Sequence, residues 1–157
     1  MCILFTLVAV LLADQISKQI IAKLMVPGES IPMLGSFFQL TYVRNPRAAF
    51  GVSLGAGPFH IVVSSIVIVL LTVLLWKMRQ QRGGVPIALS CILAGAWGNL
   101  IDRIRWGEVI DFLNLGIGNY RWPVFNLADL AVTAGAFFLV FLSIRKGNLL
   151  KWNESKQ

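Results

Sequence analysis

Four stretches of this chain are apolar enough and long enough to cross a bilayer, and nothing else in the sequence constrains the fold as strongly. They run from Met1 to about Ala22, Pro58 to Trp76, Val85 to Ile101 and Val124 to Ile144. A hydrocarbon core of ~30 Å takes about 20 residues of helix, and in lipid each backbone N–H and C=O must find its partner within the protein. A soluble domain of 157 residues could not cover so much apolar surface when 57% of it is hydrophobic and 13% charged. The mean hydropathy of +0.75 says the same. The expected fold is an all-α membrane protein: four transmembrane helices in one domain over 1–157, with longer connections at 23–57 and 102–123. The first span lacks a basic n-region and a small-residue cleavage site before Asp14, so it reads as a retained helix and not a signal peptide.

Lys and Arg are densest in connection 77–84 and tail 145–157, which together hold seven in 21 residues, against six in 57 residues for segments 23–57 and 102–123. The positive-inside rule then puts both termini in the cytoplasm and the two longer segments outside. This asymmetry, together with contact to anionic lipid, accounts for the formal charge of +7. A nucleic-acid surface would need a basic face on a folded soluble body, and the sequence offers none.

Segment 23–57 is too polar and too punctuated to span. Gly28, Pro32 and Gly35 divide it into short pieces, and FFQLTYV has the aromatic and β-branched composition of a strand. A small sheet resting on the outer membrane face is expected there, placed to cap the bundle or to hold an extended peptide by edge pairing. In span three Ala94 and Gly98 are four apart, as are Ala131 and Gly135 in span four, which suits close approach of two membrane helices. Trp76, Trp106, Trp122 and Trp152 fall near span ends and fit interfacial anchoring. Cys2 and Cys91 lie in different spans without CxxC spacing, and His60 has no second His with which to form a cluster; all three read as structural.

Ionisable groups inside apolar spans are costly, so each is a candidate for function. In DQISK, Asp14 and Lys18 share one helical face and can neutralise one another. In GNLIDR, Asn99 and Arg103 share a face with Asp102 beside them, the composition of a helix-end hydrogen-bond network with a snorkelling Arg. In GEVIDF and FNLADL, Asp111 and Asp129 lie 18 residues apart, both close to the expected outer interface, and Asn126 is on the helical face of Asp129. Two carboxylates held together in a poorly hydrated place cannot both ionise easily. One then retains a proton to donate to a carbonyl oxygen while the other takes a proton from water. A Ser or Cys hydrolase would need a placed His, and a zinc protease would need HExxH. A hard-metal site from Asp111, Asp129 and Asn126 is short of oxygen ligands. On the residues alone, an aspartic hydrolase at the membrane surface and a proton or ion pathway both stand, and a non-catalytic scaffold is the third class.

Five motifs in order make the pattern specific: DQISK, RNPRAAFG, GNLIDR, GEVIDF and FNLADL. Together with four spans and an inside N-terminus, they resemble the lipoprotein signal peptidase family, the signal peptidase II enzymes of bacterial inner membranes. The resemblance implies an aspartic endopeptidase that removes the signal peptide of prolipoproteins, cutting before a cysteine that already carries diacylglyceryl. By motif match it implies Asp111 and Asp129 as the dyad, with Asp14, Lys18, Asn45, Asn99, Arg103 and Asn126 around it. It further implies an extracytoplasmic β-cradle from residues near 30–45, no metal or cofactor, and inhibition by the cyclic peptide globomycin. One position departs from the family pattern. Where NxGAAFG is usual this chain reads NPRAAFG, and Arg47 could not reproduce a glycine's positive φ without strain.

Overall fold

The computed structural model describes residues 2–46, 57–81 and 83–154, with side chains up to Arg145. Arg47 and the rest of RAAFG lie outside these residues. The elements follow in the order α1 (Cys2–Leu24), β1 (Ser30–Leu34), β2 (Phe38–Asn45), α2 (Gly57–Met78), α3 (Val85–Trp106), β3 (Val109–Ile117), β4 (Tyr120–Arg121) and α4 (Leu127–Glu154). Four helical stretches are long and apolar enough to cross a membrane: Cys2–Leu24, Pro58–Met78, Val85–Trp106 and Leu127–Arg145.

α3 is the axis of the bundle, and α1, α2 and α4 all pack against it. Its sequence allows this: Ala88, Ser90, Ala94, Gly95 and Gly98 are small and buried. A Cβ added at Gly95 would strike the carbonyl oxygen of Ala128 on α4, and one at Gly135 would strike that of Ala88 on α3. The α3–α4 contact is therefore backbone against backbone, the geometry that small residues give membrane helices. It differs in detail from the stripe expected from spacing. Gly95 receives α4, whereas Gly98 mainly leaves room for the carboxylate of Asp14 on α1. Leu89, Leu93 and Leu100 fill the remaining faces of α3 with Ile68 and Leu75 of α2. The large exposed side chains of α1, α2 and α4, among them Phe5, Leu70 and Phe137, face where lipid would lie.

α3 runs five residues past the boundary expected at Ile101, so Asp102, Arg103 and Arg105 are helical. It stops at Gly107, whose φ of 75° closes a left-handed cap with its N–H donating to Arg103 O. The chain turns there into β3.

The sheet is antiparallel in the order β1-β2-β3-β4. The strand expected from FFQLTYV is present as β2, and β3 is a strand where the GEVIDF region was expected to be an outer loop. A second core of Ile21, Met25, Tyr42, Ile110 and Phe112 seats the sheet on the end of α1. Leu113 also bridges to Phe125, and both Phe112 N and Leu113 N donate to Phe125 O. That clamp brings the start of α4 alongside β3.

Candidate functional site

Two local rules of chain geometry bring the polar residues together at the sheet end of the bundle. The first is strand register. Val43 faces Asp111 and Asn45 faces Val109, so Asn45 and Asp111 are diagonal neighbours on one face of the sheet. Asn45 Nδ2 donates to Asp111 Oδ2 at 2.9 Å. The second is helix capping. Asn126 is the N-cap of α4: its Oδ1 accepts the Asp129 N–H at 2.9 Å, and Asp129 Oδ2 lies 3.4 Å from Asn126 N. This is a capping box with Asp as the reciprocal partner, and it favours negative charge at that helix end.

Because the Asn126 oxygen is engaged by a backbone N–H, its amide nitrogen must face the other way. It donates to Asp111 Oδ1 at 2.6 Å, with Asn99 Oδ1 and Ile110 O also within 3.3 Å. Asn99 is fixed by the same logic. Its Oδ1 accepts from Lys18 Nζ at 3.0 Å, and lysine has only donors, so its Nδ2 points at Asp129 Oδ1, 2.8 Å away. Asp111 and Asp129 are thus held by neutral amides from β2, α3 and the α4 cap, and Asn126 touches both.

Behind Asn99 lies a buried ion cluster. Lys18 Nζ is 2.9 Å from Asp14 Oδ2 and 2.9 Å from Asp102 Oδ2. Asp14 Oδ1 accepts the Ala128 N–H of α4 at 2.9 Å, and Asp102 Oδ2 accepts the Ile110 N–H of β3 at 3.2 Å. One ammonium and two carboxylates thereby tie α1, α3, α4 and β3 into a fixed frame. A buried cation with all three protons bonded is far less costly than an unpaired one.

The electrostatics separate the two candidate carboxylates. Burial pushes the Asp111 carboxyl up to about 6. Asp129 raises it further, while the donors Asn45 and Asn126 and the charge of Lys18 act in the opposite direction. Asp111 is only 2% exposed, whereas Asp129 is partly open. The Arg103 guanidinium is coupled electrostatically to Asp129, Asp111 and Asp102, and its Nη1 also donates to Asn99 O at 3.3 Å.

All eight residues picked out from the motifs, Asp14, Lys18, Asn45, Asn99, Arg103, Asp111, Asn126 and Asp129, therefore belong to one connected network. The sequence reading left out two further members. Asp102 completes the Lys18 cluster, and Gln15 Nε2 reaches Asp14 Oδ2, Gly98 O and Asp102 Oδ1 at 3.1–3.2 Å. Both have a signal in the sequence, since Asp102 is three residues from Asn99 on the same helical face and Gln15 lies within DQISK. Among the described residues, no group of three or more His, Cys, Asp or Glu is arranged to hold a metal ion.

Comparison with known proteins gives one consistent answer. Residues 6–145 match the family described as signal peptidase (SPase) II. The lipoprotein signal peptidase of Syntrophus aciditrophicus (strain SB) is 47% identical over 151 residues, covering 92% of this chain and 94% of its own. That of Pelotomaculum thermopropionicum (strain DSM 13744 / JCM 10971 / SI) is 40% identical over 154 residues, covering 98% of this chain and 99% of its own. Two solved structures described as bacterial membrane enzymes superpose with TM-scores of 0.85 and 0.81, at 33% and 34% identity. The first covers 92% of this chain and 88% of its own, and the second covers 89% and 90%.

Proposed function

The chain belongs to the signal peptidase II family, and from that premise we propose that it is an aspartic endopeptidase that removes signal peptides from diacylglyceryl-modified prolipoproteins by cutting before the lipidated cysteine. The observation that carries this reading is that the two carboxylates are held by adjoining amides: Asn126 Nδ2 donates to Asp111, Asn99 Nδ2 donates to Asp129, and Asn126 Nδ2 also lies 3.1 Å from Asn99 Oδ1. Nothing in a helix cap requires a second carboxylate from a neighbouring strand. An acid and base pair requires it.

In the proposed mechanism the dyad holds one proton between two unlike environments. The titration belongs to the pair, and the drier Asp111 side retains the proton for the larger share. Asp129, partly open and beside Arg103, accepts a proton from the attacking water. Asp111 gives its proton to the scissile carbonyl oxygen, and a neutral tetrahedral diol forms without an acyl-enzyme. Asn45, Asn99 and Asn126 position the two carboxyl groups, and the Lys18 cluster positions Asn99. A peptide bond inside a helix hides its carbonyl, so the scissile segment binds extended, with the sheet as cradle and the lipid tails in the bilayer supplying binding energy.

The whole chain, 1–157, acts as one integral peptidase unit of the bacterial inner membrane, with both termini cytoplasmic and the dyad near the extracytoplasmic face. The distribution of Lys and Arg supports that orientation. No metal or cofactor enters the proposed reaction, and cyclic peptides of the globomycin type compete for the site. The test is cleavage of a diacylglyceryl-modified prolipoprotein by the purified protein in a bilayer, with mass spectrometry of both products. A new N-terminus at the lipidated cysteine is expected. Cutting elsewhere, or cutting the unlipidated precursor equally well, would overturn the substrate assignment.

A further inference from the structure

A cavity of about 450 Å³ lies between the sheet-side ends of α1 and α3, beneath β2 and β3, and neither Asp111 nor Asp129 lines it. Its deep end is the buried Lys18–Asp102 pair. Its rim carries three exposed cations, Lys23, Arg44 and Arg105. Helical spacing explains two of them: Gln15, Gln19 and Lys23 form one stripe on α1, and Asp102, Arg105 and Trp106 form one on α3. Arg44 reaches in from β2. Its Nε donates to Tyr42 Oη at 3.1 Å, and its guanidinium lies 5.8 Å from the centre of the Trp106 ring.

Among the described residues both ion pairs belong to Lys18, so Lys23, Arg44 and Arg105 are in no ion pair, and Asp102, the carboxylate lining the cavity, is engaged by Lys18. Three like charges around one cavity repel each other unless an anion lies between them. Their depth indicates what that anion is. Lys23 is next to last in α1, and Arg105 and Trp106 end α3, so all three sit where a spanning helix meets the headgroup layer. Toward the bundle's middle, Ile16, Ile20 and Ile104 are exposed and apolar, the surface an acyl chain would follow.

We propose that this cavity binds the phosphate headgroup of an anionic phospholipid. Arg44, Arg105 and Lys23 bond the phosphate oxygens, the Gln19 amide faces the remainder of the headgroup, and the acyl chains descend along α1 and α3. Guanidinium groups suit the phosphate geometry. A free phosphate would use the same cations and gain nothing from the apolar strip beside them. The site stands apart from the peptidase reading, because it requires neither candidate carboxylate.

The test is native mass spectrometry of the full-length protein in detergent, titrated separately with phosphatidylglycerol, phosphatidylcholine and inorganic phosphate. The first phosphatidylglycerol should be retained over phosphatidylcholine. Lys23→Gln and Arg105→Gln should each weaken its retention about fivefold, and together about 25-fold. Both positions are exposed, and a thermal melt confirms that each variant is folded. Arg44→Gln should act in the same direction. The control is Lys77→Gln with Arg79→Gln at the other end of the bundle, which should leave the first lipid's retention unchanged. Equal retention of the two lipids, an equal loss in the control, or displacement of phosphatidylglycerol by inorganic phosphate would each overturn the proposal.

Discussion

Asn126 has two separable tasks, since its oxygen caps α4 and its nitrogen holds Asp111. Ser at this position keeps a capping oxygen but has no amide to reach Asp111, and Ala keeps neither. Asn126→Ser should therefore melt close to wild type and lose activity on the order of 10²-fold, the cost of a displaced reacting group. Asn126→Ala should lose activity similarly and also about 1 kcal/mol of stability. The Asp111 carboxyl gives a prediction for pH. With its proton released near pH 6, kcat/KM should fall as pH rises through about 6. Asn45 donates to this carboxyl and holds it down, so Asn45→Ala should move that falling limb to higher pH. A limb that moved lower would contradict the assignment. The sign for stability follows from the same shift. The folded carboxyl is raised above its ordinary 3.8, so its contribution is fully present below about pH 4 and is lost as pH rises through about 6. At this scale much was legible beforehand, because ionisable residues are conspicuous in apolar runs. The place of Asp102 in the site is not legible in the same way, since its partner Lys18 lies on another helix and spacing reports only neighbours along one helix.

Among the elements, the α3–α4 contact decides where the Asn126 cap sits. A methyl at Gly95 meets the backbone oxygen of Ala128, which cannot yield as a flexible side chain can. Gly95→Ala should cost about 1–3 kcal/mol and reduce activity, because the Asn126 cap lies only two residues before the contact at Ala128. A thermal melt in detergent, paired with cleavage rates, checks this. An unchanged melt would mean that the helices are farther apart than described. β3 was the element hardest to read. Val109, Ile110, Asp111 and Phe112 are all buried in succession, so the strand is covered on both faces and lacks the in-out alternation that identifies a strand. α3 outlasts its apolar run for a related reason. Hydropathy reports the length of the apolar run, whereas the helix ends where Gly107 adopts a left-handed conformation.

The molecule as a whole has its polar network at one end of an apolar bundle, under a four-stranded sheet. The four spans were plain in the sequence because lipid demands long apolar helices, while the lateral order of those helices rests on contacts that no periodicity reports. The proposed orientation predicts that green fluorescent protein fused after Gln157 fluoresces and that alkaline phosphatase fused there is inactive. The reverse pattern would place the dyad on the cytoplasmic side and remove it from its substrate. The central claim is that Asp111 and Asp129 together perform the hydrolysis. It is tested most directly by single-turnover cleavage of a diacylglyceryl-modified prolipoprotein by wild type, Asp111→Asn and Asp129→Asn, with each protein's fold confirmed by its melt. The account predicts that either substitution alone lowers the rate by roughly 10²–10⁴-fold or more, as expected when an acid or base is removed. Folded variants that cut at the wild-type rate would contradict it.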